Sequence, residues 1–535
     1  MSYTAPTTPA TGASPWQPLR SRLFLALWLA SIASNIGTWM HEVGAGWLMT
    51  SLSASPLAVA AVQVAGALPI FLLALPAGAL ADIVDKRRSL LLVQCWMAAV
   101  AMALALLSAF QMMSVELLLG LTFAMGIGTA LMMPAWSAML PEVVARAELP
   151  AAVALSSLGV NVARAIGPAL AGILVSLSGP WLTFALNAVS FLAVIIALAS
   201  WKRQPSAGVL PAERLFGALR VGLRYARSSR SLQAVLVRTA AFFLGASAGM
   251  SLLPVLVRQA IGGDALDYGI LLGCVGIGAV LGATLLPRLR SRYGNDRLLA
   301  AASLLYALVL AGLAVLRSMP ALLPLMLLSG MAWIAALSSL QLSAQTAVPA
   351  WVRARALSLY ILTFFGCSAI GGLTWGAVAS SQSLSAAFAG SAVLLAAGLL
   401  LGWRFRLPVS EAEDLAPSLH WPAPLVDDEL DRERGPVLVT LDYRIASADS
   451  AAFQAAMQDV RHMRRRNGAF SWGLVQDAED PTRWQEFFFD ESWLAHLRHH
   501  DRVTRAEQRI EARARHYQMA GEAIRIRHLL AAPAH

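Results

Sequence analysis

The chain has 535 residues, of which 57% are hydrophobic and only 13% charged, about half the charged fraction of an average soluble domain. That balance excludes a water-soluble fold of this size and makes the lipid bilayer the main solvent. The formal charge is +10, but residues 1–406 hold 25 Lys and Arg against 10 Asp and Glu while the remainder is net acidic, so the basic excess belongs to the apolar part and no nucleic-acid partner is expected.

Residues 1–19 are uncharged and rich in Thr, Pro and Ala, and they predict a disordered cytosolic arm rather than a secretory signal. Twelve apolar segments follow, at 23–49, 57–81, 89–110, 115–139, 151–176, 181–200, 232–256, 266–287, 298–316, 320–346, 356–379 and 385–403. Each is near the ~20 residues a helix needs to cross ~30 Å of hydrocarbon. Cys95, Cys274 and Cys367 all fall inside these runs, which leaves neither a disulfide framework nor a cysteine-based metal cluster.

Charges in the connections set the orientation. One side carries 21 Lys and Arg, and the other carries two, Arg258 and Arg317. Basic loops are retained in the cytoplasm, so both termini are expected there, in a multi-pass protein of the bacterial inner membrane with an even number of spans. The longest connection, 201–231, divides the membrane part into six-helix bundles at 20–200 and 232–406. Within it, Leu215, Leu219 and Leu223 lie among Arg214, Arg220, Arg224 and Arg227, a basic amphipathic stretch expected along the inner membrane surface.

The halves echo one another. Gly78 opens GALADIVDKRR and Gly282 opens GATLLPRLRSR, 204 residues apart, while Pro141 and Pro349 lead PEVVAR and PAWVRAR, 208 apart. Two landmarks at nearly one offset point to a duplicated transporter. After a Pro- and acid-rich linker, 407–436, the composition becomes that of a soluble domain over 437–530. Strand 437–445, helix 452–463 ending in Arg464–Arg466 and Asn467-Gly468, strands FSWGLVQ and RWQEFFF, a helix over 492–517 and the strand AIRIRHLL complete β-α-β-β-α-β. This order predicts a ferredoxin-like cytoplasmic domain. The fold class is thus an all-α membrane protein of two six-helix pseudo-repeats with a C-terminal α+β domain.

Polar residues inside the spans are few, and charges there are costly enough that those retained face a wet interior. In the first span Ser31, Asn35, Thr38 and Glu42 form one stripe ending in an acid. In the fifth, Ser157, Asn161, Arg164 and Pro168 form another with a base. If both stripes face one cavity, Glu42 is the titratable group and Arg164 its partner. His41 is expected to pack. Gln63, Asn187, Gln341 and Gln345 are equally suited to a ligand or to interhelical bonds, and Trp39, Trp47, Trp136, Phe242, Phe243, Trp333 and Trp375 to a ligand cavity or the membrane interface. His496, His499 and His500 lie at helical spacing, but no Asp-rich loop or HExxH accompanies them, so a solvated or dimer-contact role is expected and no metal. The absence of a Walker loop argues against ATP hydrolysis, and no catalytic set or cofactor is expected.

GALADIVDKRR resembles the loop motif of the major facilitator superfamily, with Gly78, Asp82, Asp85, Arg87 and Arg88 at motif positions and Lys86 in place of the usual Arg. The resemblance implies a gating loop: Gly78 lets helices approach, Asp82 accepts bonds across the half-interface and the basic run anchors the loop. SNIGTWM, WLMTSLSASPLAV, MPAWSAMLPE and NVARAIGPALAGIL together resemble bacterial exporters of the branch that holds the enterobactin exporter and macrolide efflux pumps. That likeness implies proton-driven export of an amphipathic siderophore, macrolide-like drug or related metabolite by alternating access. Gly167, Pro168 and Gly172 match most of the fifth-span packing motif of antiporters, although Ala171 stands for one of its glycines and Thr122 stands where antiporters carry an Arg. The C-terminal domain resembles dimeric α+β barrels related to antibiotic-biosynthesis monooxygenases, which implies a homodimer through this domain. The rival reading is a permease fused to an enzymatic or ligand-sensing domain.

Overall fold

The computed structural model describes residues 16–145, 147–201, 223, 225–407, 414, 418 and 434–532. The expected N-terminal arm, most of the amphipathic stretch, Arg146 and most of the linker lie outside the described residues. By contacts, the described residues form two compact units, one within 1–212, 238–340 and 361–404 and the other within 213–237, 341–360 and 405–535. One end of each of three spans, within 230–237, 341–346 and 353–360, therefore groups with the C-terminal domain, whereas the sequence draws the division near 406.

Eleven helices among the described residues are long and apolar enough to cross a membrane. They are α1 (Arg22–Leu52), α2 (Pro56–Ile83), α3 (Lys86–Ala109), α4 (Val115–Val143), α5 (Leu149–Ser178), α6 (Pro180–Ser200), α7 (Arg230–Ser251), whose span runs on to Ile261, α8 (Ala265–Val315), α9 (Met319–Thr346), α10 (Arg353–Ser381) and α11 (Leu384–Gly398), whose span runs on to Arg404. Twelve segments were expected. The eighth and ninth are joined in α8, a 51-residue element interrupted at Gly294, whose φ of +76° and ψ of 167° lie outside helical space. A residue with a Cβ would be strained there.

Local chemistry starts these helices where the composition changes. Ser21, Ser114 and Ser383 accept hydrogen bonds from backbone amides three residues on, and Asp264 and Asp267 form a capping box before α8. Pro69, Pro134, Pro168 and Pro287 sit inside helices, which bundles tolerate because neighbours satisfy the freed carbonyls.

Packing between helices rests on small residues, as expected where lipid removes the hydrophobic drive for association. A Cβ at Gly126 of α4 would come within 2.6 Å of the Gly66 carbonyl of α2. In the second half Gly278 of α8 and Gly330 of α9 meet each other's helix backbones in the same way. The halves join along α5 with α8 and α2 with α10. Gly172 of α5 opposes Gly269 of α8, Gly376 of α10 opposes Ala60 of α2, and Arg258 donates to Thr50 at 3.1 Å and Ser51 at 2.6 Å in the last turn of α1. Along the α5–α8 seam Gly276 also approaches Arg164 and Ala165. Further along the same two helices, Leu158 and Val280 are 44% and 39% exposed.

The C-terminal domain contains β1 (Val437–Arg444), α12 (Ser450–Asn467), β2 (Ser471–Gln476), β3 (Arg483–Asp490), α13 (Trp493–Arg502), α14 (Arg505–Arg515) and β4 (Arg525–Leu530). The sheet order is β2-β3-β1-β4 and every pairing is antiparallel. The single helix expected over 492–517 is two, because Val503 leaves helical geometry and Thr504 starts a new helix in a capping box with Glu507.

Candidate functional site

A cavity of about 270 Å³ lies between α1, α2, α4 and α8–α10, and Thr38, Glu42, Gln63, Thr122, Tyr268 and Trp333 are among its lining residues. The α1 stripe does not contribute all its polarity to this space. Ser31 donates to the Trp28 carbonyl at 2.8 Å, Asn35 to that of Ser31 at 2.7 Å and Thr38 to that of Ser34 at 2.9 Å. Helical residues of this kind are satisfied by their own turn, and only the carboxylate at the end of the stripe lacks that outlet. Glu42 is exposed to the cavity although His41 and Val43 beside it are 4% and 2% exposed, and it is the one carboxylate among the lining residues.

Arg164 of α5 does not pair with it. Its guanidinium lies over the Trp39 ring at 5.6 Å from the centroid, and its buried Nε and Nη1 have no protein partner. No ion pair within 4 Å joins Glu42 and Arg164 among the described residues, but the two charges act on each other through space, with the cation lying on Trp39, itself a cavity-lining residue. Asn161 donates to the Ser157 carbonyl of its own helix at 3.0 Å. His41, expected to pack, does so edge-on against Phe184 at 5.0 Å, yet it also lines the cavity and neither ring nitrogen has a partner. The Thr122 hydroxyl, at the position where antiporters place an Arg, is likewise buried, cavity-lining and without a partner. Buried polar atoms left open in this way belong with a wet or ligand-filled space.

The motif residues between α2 and α3 bind within the first half. Asp85 caps α3 by accepting from the Arg88 amide at 2.9 Å. Lys86 pairs with Glu142 of α4 at 2.7 Å, and Arg87 donates to the Leu198 and Ala199 carbonyls at 3.1 and 2.8 Å, where cations complement a helix C-terminus. Asp82 lies in the last turn of α2 and its side chain is outside the description. A Cβ at Gly78 would meet nothing within 4 Å, so no helix crowds it in this conformation. Gly167 does admit a neighbour, Trp39 at 2.6 Å from an added Cβ, and Gly172 admits α8.

Sequence reasoning missed Tyr268, Phe364, Phe365 and Ser368 of the cavity wall. Tyr268 stacks on Trp47 at 6.0 Å. The doublet Phe364-Phe365, set in an otherwise small-residue helix, was the legible signal.

In the C-terminal domain, Arg464 was read as part of a basic helix end but is 1% exposed. It donates to Glu486 at 2.9 Å and Glu511 at 2.6 Å, and Tyr443 and Trp472 also donate to Glu486. His496 and His499 are not solvated either: both are 0% exposed, with Nδ1 atoms 2.8 and 3.3 Å from Asp490. Burial works against the Asp490 carboxylate, but the imidazoles of His499 and His496 outweigh it and hold its pKa below the ordinary carboxylate range. Burial, and then the neighbouring imidazoles, push His500 down to about 3. His528 is lowered to about 4 by burial and His496. Within the same unit Arg502 lies over the Trp351 ring at 4.4 Å.

A family profile described as "Transmembrane secretion effector" matches residues 13–534. A staphyloferrin A transporter of Staphylococcus aureus (strain NCTC 8325 / PS 47) is 24% identical over 280 residues, which cover 52% of this chain and 70% of that protein. An uncharacterized MFS-type transporter, YfiS, of Bacillus subtilis (strain 168) is 28% identical over 168 residues, 31% of this chain and 39% of that one. Among solved structures, a POT family transporter in complex with 5-aminolevulinic acid superposes with a TM-score of 0.60 at 13% identity, covering 71% of this chain and 95% of its own. The nucleoside transporter NupG, as a mutant, gives 0.57 at 16% identity, covering 72% and 99%.

Proposed function

Because the chain belongs to the transmembrane secretion effector family of the major facilitator superfamily, we propose that this membrane transporter exports a small amphipathic molecule of the siderophore class by proton-coupled alternating access. The observation that carries the reading is Glu42, the one carboxylate lining a cavity in which polar atoms of His41, Thr122 and Ser368 lack partners. A carboxylate in such surroundings changes its proton affinity as water enters or leaves. Arg164, held by Trp39, supplies the counter-charge at one remove. The siderophore class is suggested by the staphyloferrin A transporter.

We read α8 as two spans meeting at Gly294, which gives twelve, and the 21-to-two division of basic residues supports cytoplasmic termini in a bacterial inner membrane. With that orientation the approach of Gly172 to Gly269 lies toward the outer end of the bundle, and cargo would enter from the cytoplasmic end. Lys86, Arg87 and Asp85 brace the inner ends of α3, α4 and α6 as one body, the role we assign to the gating loop. Gly167, Pro168 and Gly172 form the seam on which the halves rock. The sheet order of the C-terminal domain supports a ferredoxin-like fold. Its edge strand β4, with Ile526 and Leu529 exposed, supports a homodimer through this domain.

Reconstitution into vesicles with an imposed pH gradient tests the reading. Outward movement of a siderophore panel that collapses with the gradient and with Glu42→Gln supports it. Gradient-independent movement removes proton coupling, and an absence of movement for every panel member removes the cargo class.

A further inference from the structure

The C-terminal domain gathers three imidazoles that the transport reading does not use. Ser492 caps α13 by accepting from the Ala495 amide at 3.2 Å, and the helix it starts places His496 and His500 one turn apart on one face. From the sheet, β4 brings His528 opposite Val439 of β1. The His496 ring centroid is 4.7 Å from that of His500 and 4.8 Å from that of His528. The Nε2 atoms of His496 and His500 are 3.1 Å apart, and one nitrogen of each of the three rings lies within 4.8 Å of the others.

Asp490 completes the arrangement. Its Oδ2 holds the His496 Nδ1 at 2.8 Å, which fixes the ring so that Nε2 points at the other two imidazoles. A carboxylate behind a ligating histidine is the usual outer shell of a metal site. Two nitrogens bound at 2.0–2.1 Å to a tetrahedral ion lie roughly 3.3–3.4 Å apart, so the His496–His500 pair already has nearly that spacing. His528 needs a small side-chain adjustment. His500 and His528 are neutral near physiological pH, the form that offers a lone pair.

We propose that His496, His500 and His528 form a binding site for a divalent transition ion of the Zn²⁺ type, oriented by Asp490. Three nitrogen ligands leave a fourth position, and the half-buried setting of His500 and His528 leaves it open to water or a small ligand, as in sites that do more than brace a fold. Neutral imidazoles without carboxylate or thiolate ligands select ions of this class over Mg²⁺ or Ca²⁺. The site is independent of the transport reading.

The test uses the full-length protein in detergent, purified without a polyhistidine tag and stripped with a chelator. Titration with Co²⁺, followed by its visible absorption, and with Zn²⁺, followed by calorimetry, should show one saturable equivalent per chain. His528→Ala and His500→Ala should each weaken binding by about 100-fold or abolish it, and Asp490→Asn should weaken it by about 10–100-fold. His528 lies half-buried on an edge strand, so that variant keeps the fold, which helicity and sheet amide protection will verify. A parent protein without a saturable equivalent overturns the proposal, as does undiminished binding by the folded His528→Ala variant.

Discussion

Single side chains divide between the two solvents of this molecule. Glu42 opens onto a cavity inside an apolar bundle, and its amide replacement removes the proton without changing the shape. Glu42→Gln should lower pH-driven export by about tenfold or more while ligand binding changes little, read from transport and binding in the same vesicles. Arg464 is the opposite case, a cation with no water. Arg464→Ala would strand Glu486 and Glu511 and should destabilise the C-terminal domain by about 3–5 kcal/mol, measured from amide protection of β1 and β3 in the full chain. The sequence did contain a hint: 453, 457, 460 and 464 continue one helical stripe, yet three consecutive arginines read as a polar end because the two carboxylates that draw one of them inward come from distant elements. Asp480, in the β2–β3 turn, is held below its ordinary pKa of 3.8 by hydrogen bonds from Thr482 and by Arg444. A depressed acid contributes stability above its unfolded pKa and loses it as pH falls through the folded one. The Thr482 and Arg483 amides should therefore lose protection only below about pH 4, after correction for intrinsic exchange.

Whole elements depend on close approach more than on charge. The α5–α8 seam consists of Gly172 against Gly269 and Ala165 against Gly276, and an added isobutyl group has nowhere to go. Gly172→Leu should fold and insert but lose transport by about tenfold or more, because overpacking here costs about 1–3 kcal/mol in the conformation that needs contact. Normal expression with normal transport would remove the seam from the cycle. The existence of the spans was legible, since long apolar runs leave no alternative to helices in lipid. Their joints were less so. The 492–517 helix breaks at Thr504 because a capping box outcompetes continuation, and that Thr-x-x-Glu signature was readable. The continuity of α8 past Arg288–Arg292 was not, because a basic stretch reads as a loop whether or not its backbone stays helical.

At the scale of the molecule, the duplication seen in the offsets of 204 and 208 residues reappears as shared packing. In each half the first and last helices pair, α1 with α6 through Gly37 and α7 with α11 through Gly245. Sequence carries such repeats because both halves solve one packing problem. It does not carry which end of the bundle is shut, since nearly the same residues must serve both states. The proposed reading takes the cytoplasmic end as the open one. With the native cysteines replaced, Val280→Cys should react about tenfold faster with an impermeant maleimide in inside-out vesicles than in intact cells. The reverse preference would place the open end outside. The aromatic pair of Arg502 and Trp351 has a mechanical meaning at this scale. Trp351 precedes α10 by two residues, and α10 runs unbroken for 29 residues, a rod of about 44 Å, with Phe364 and Phe365 near its middle. Arg502 therefore grips the chain just ahead of this rod, and the clamp and the rod's first turns belong to one compact unit.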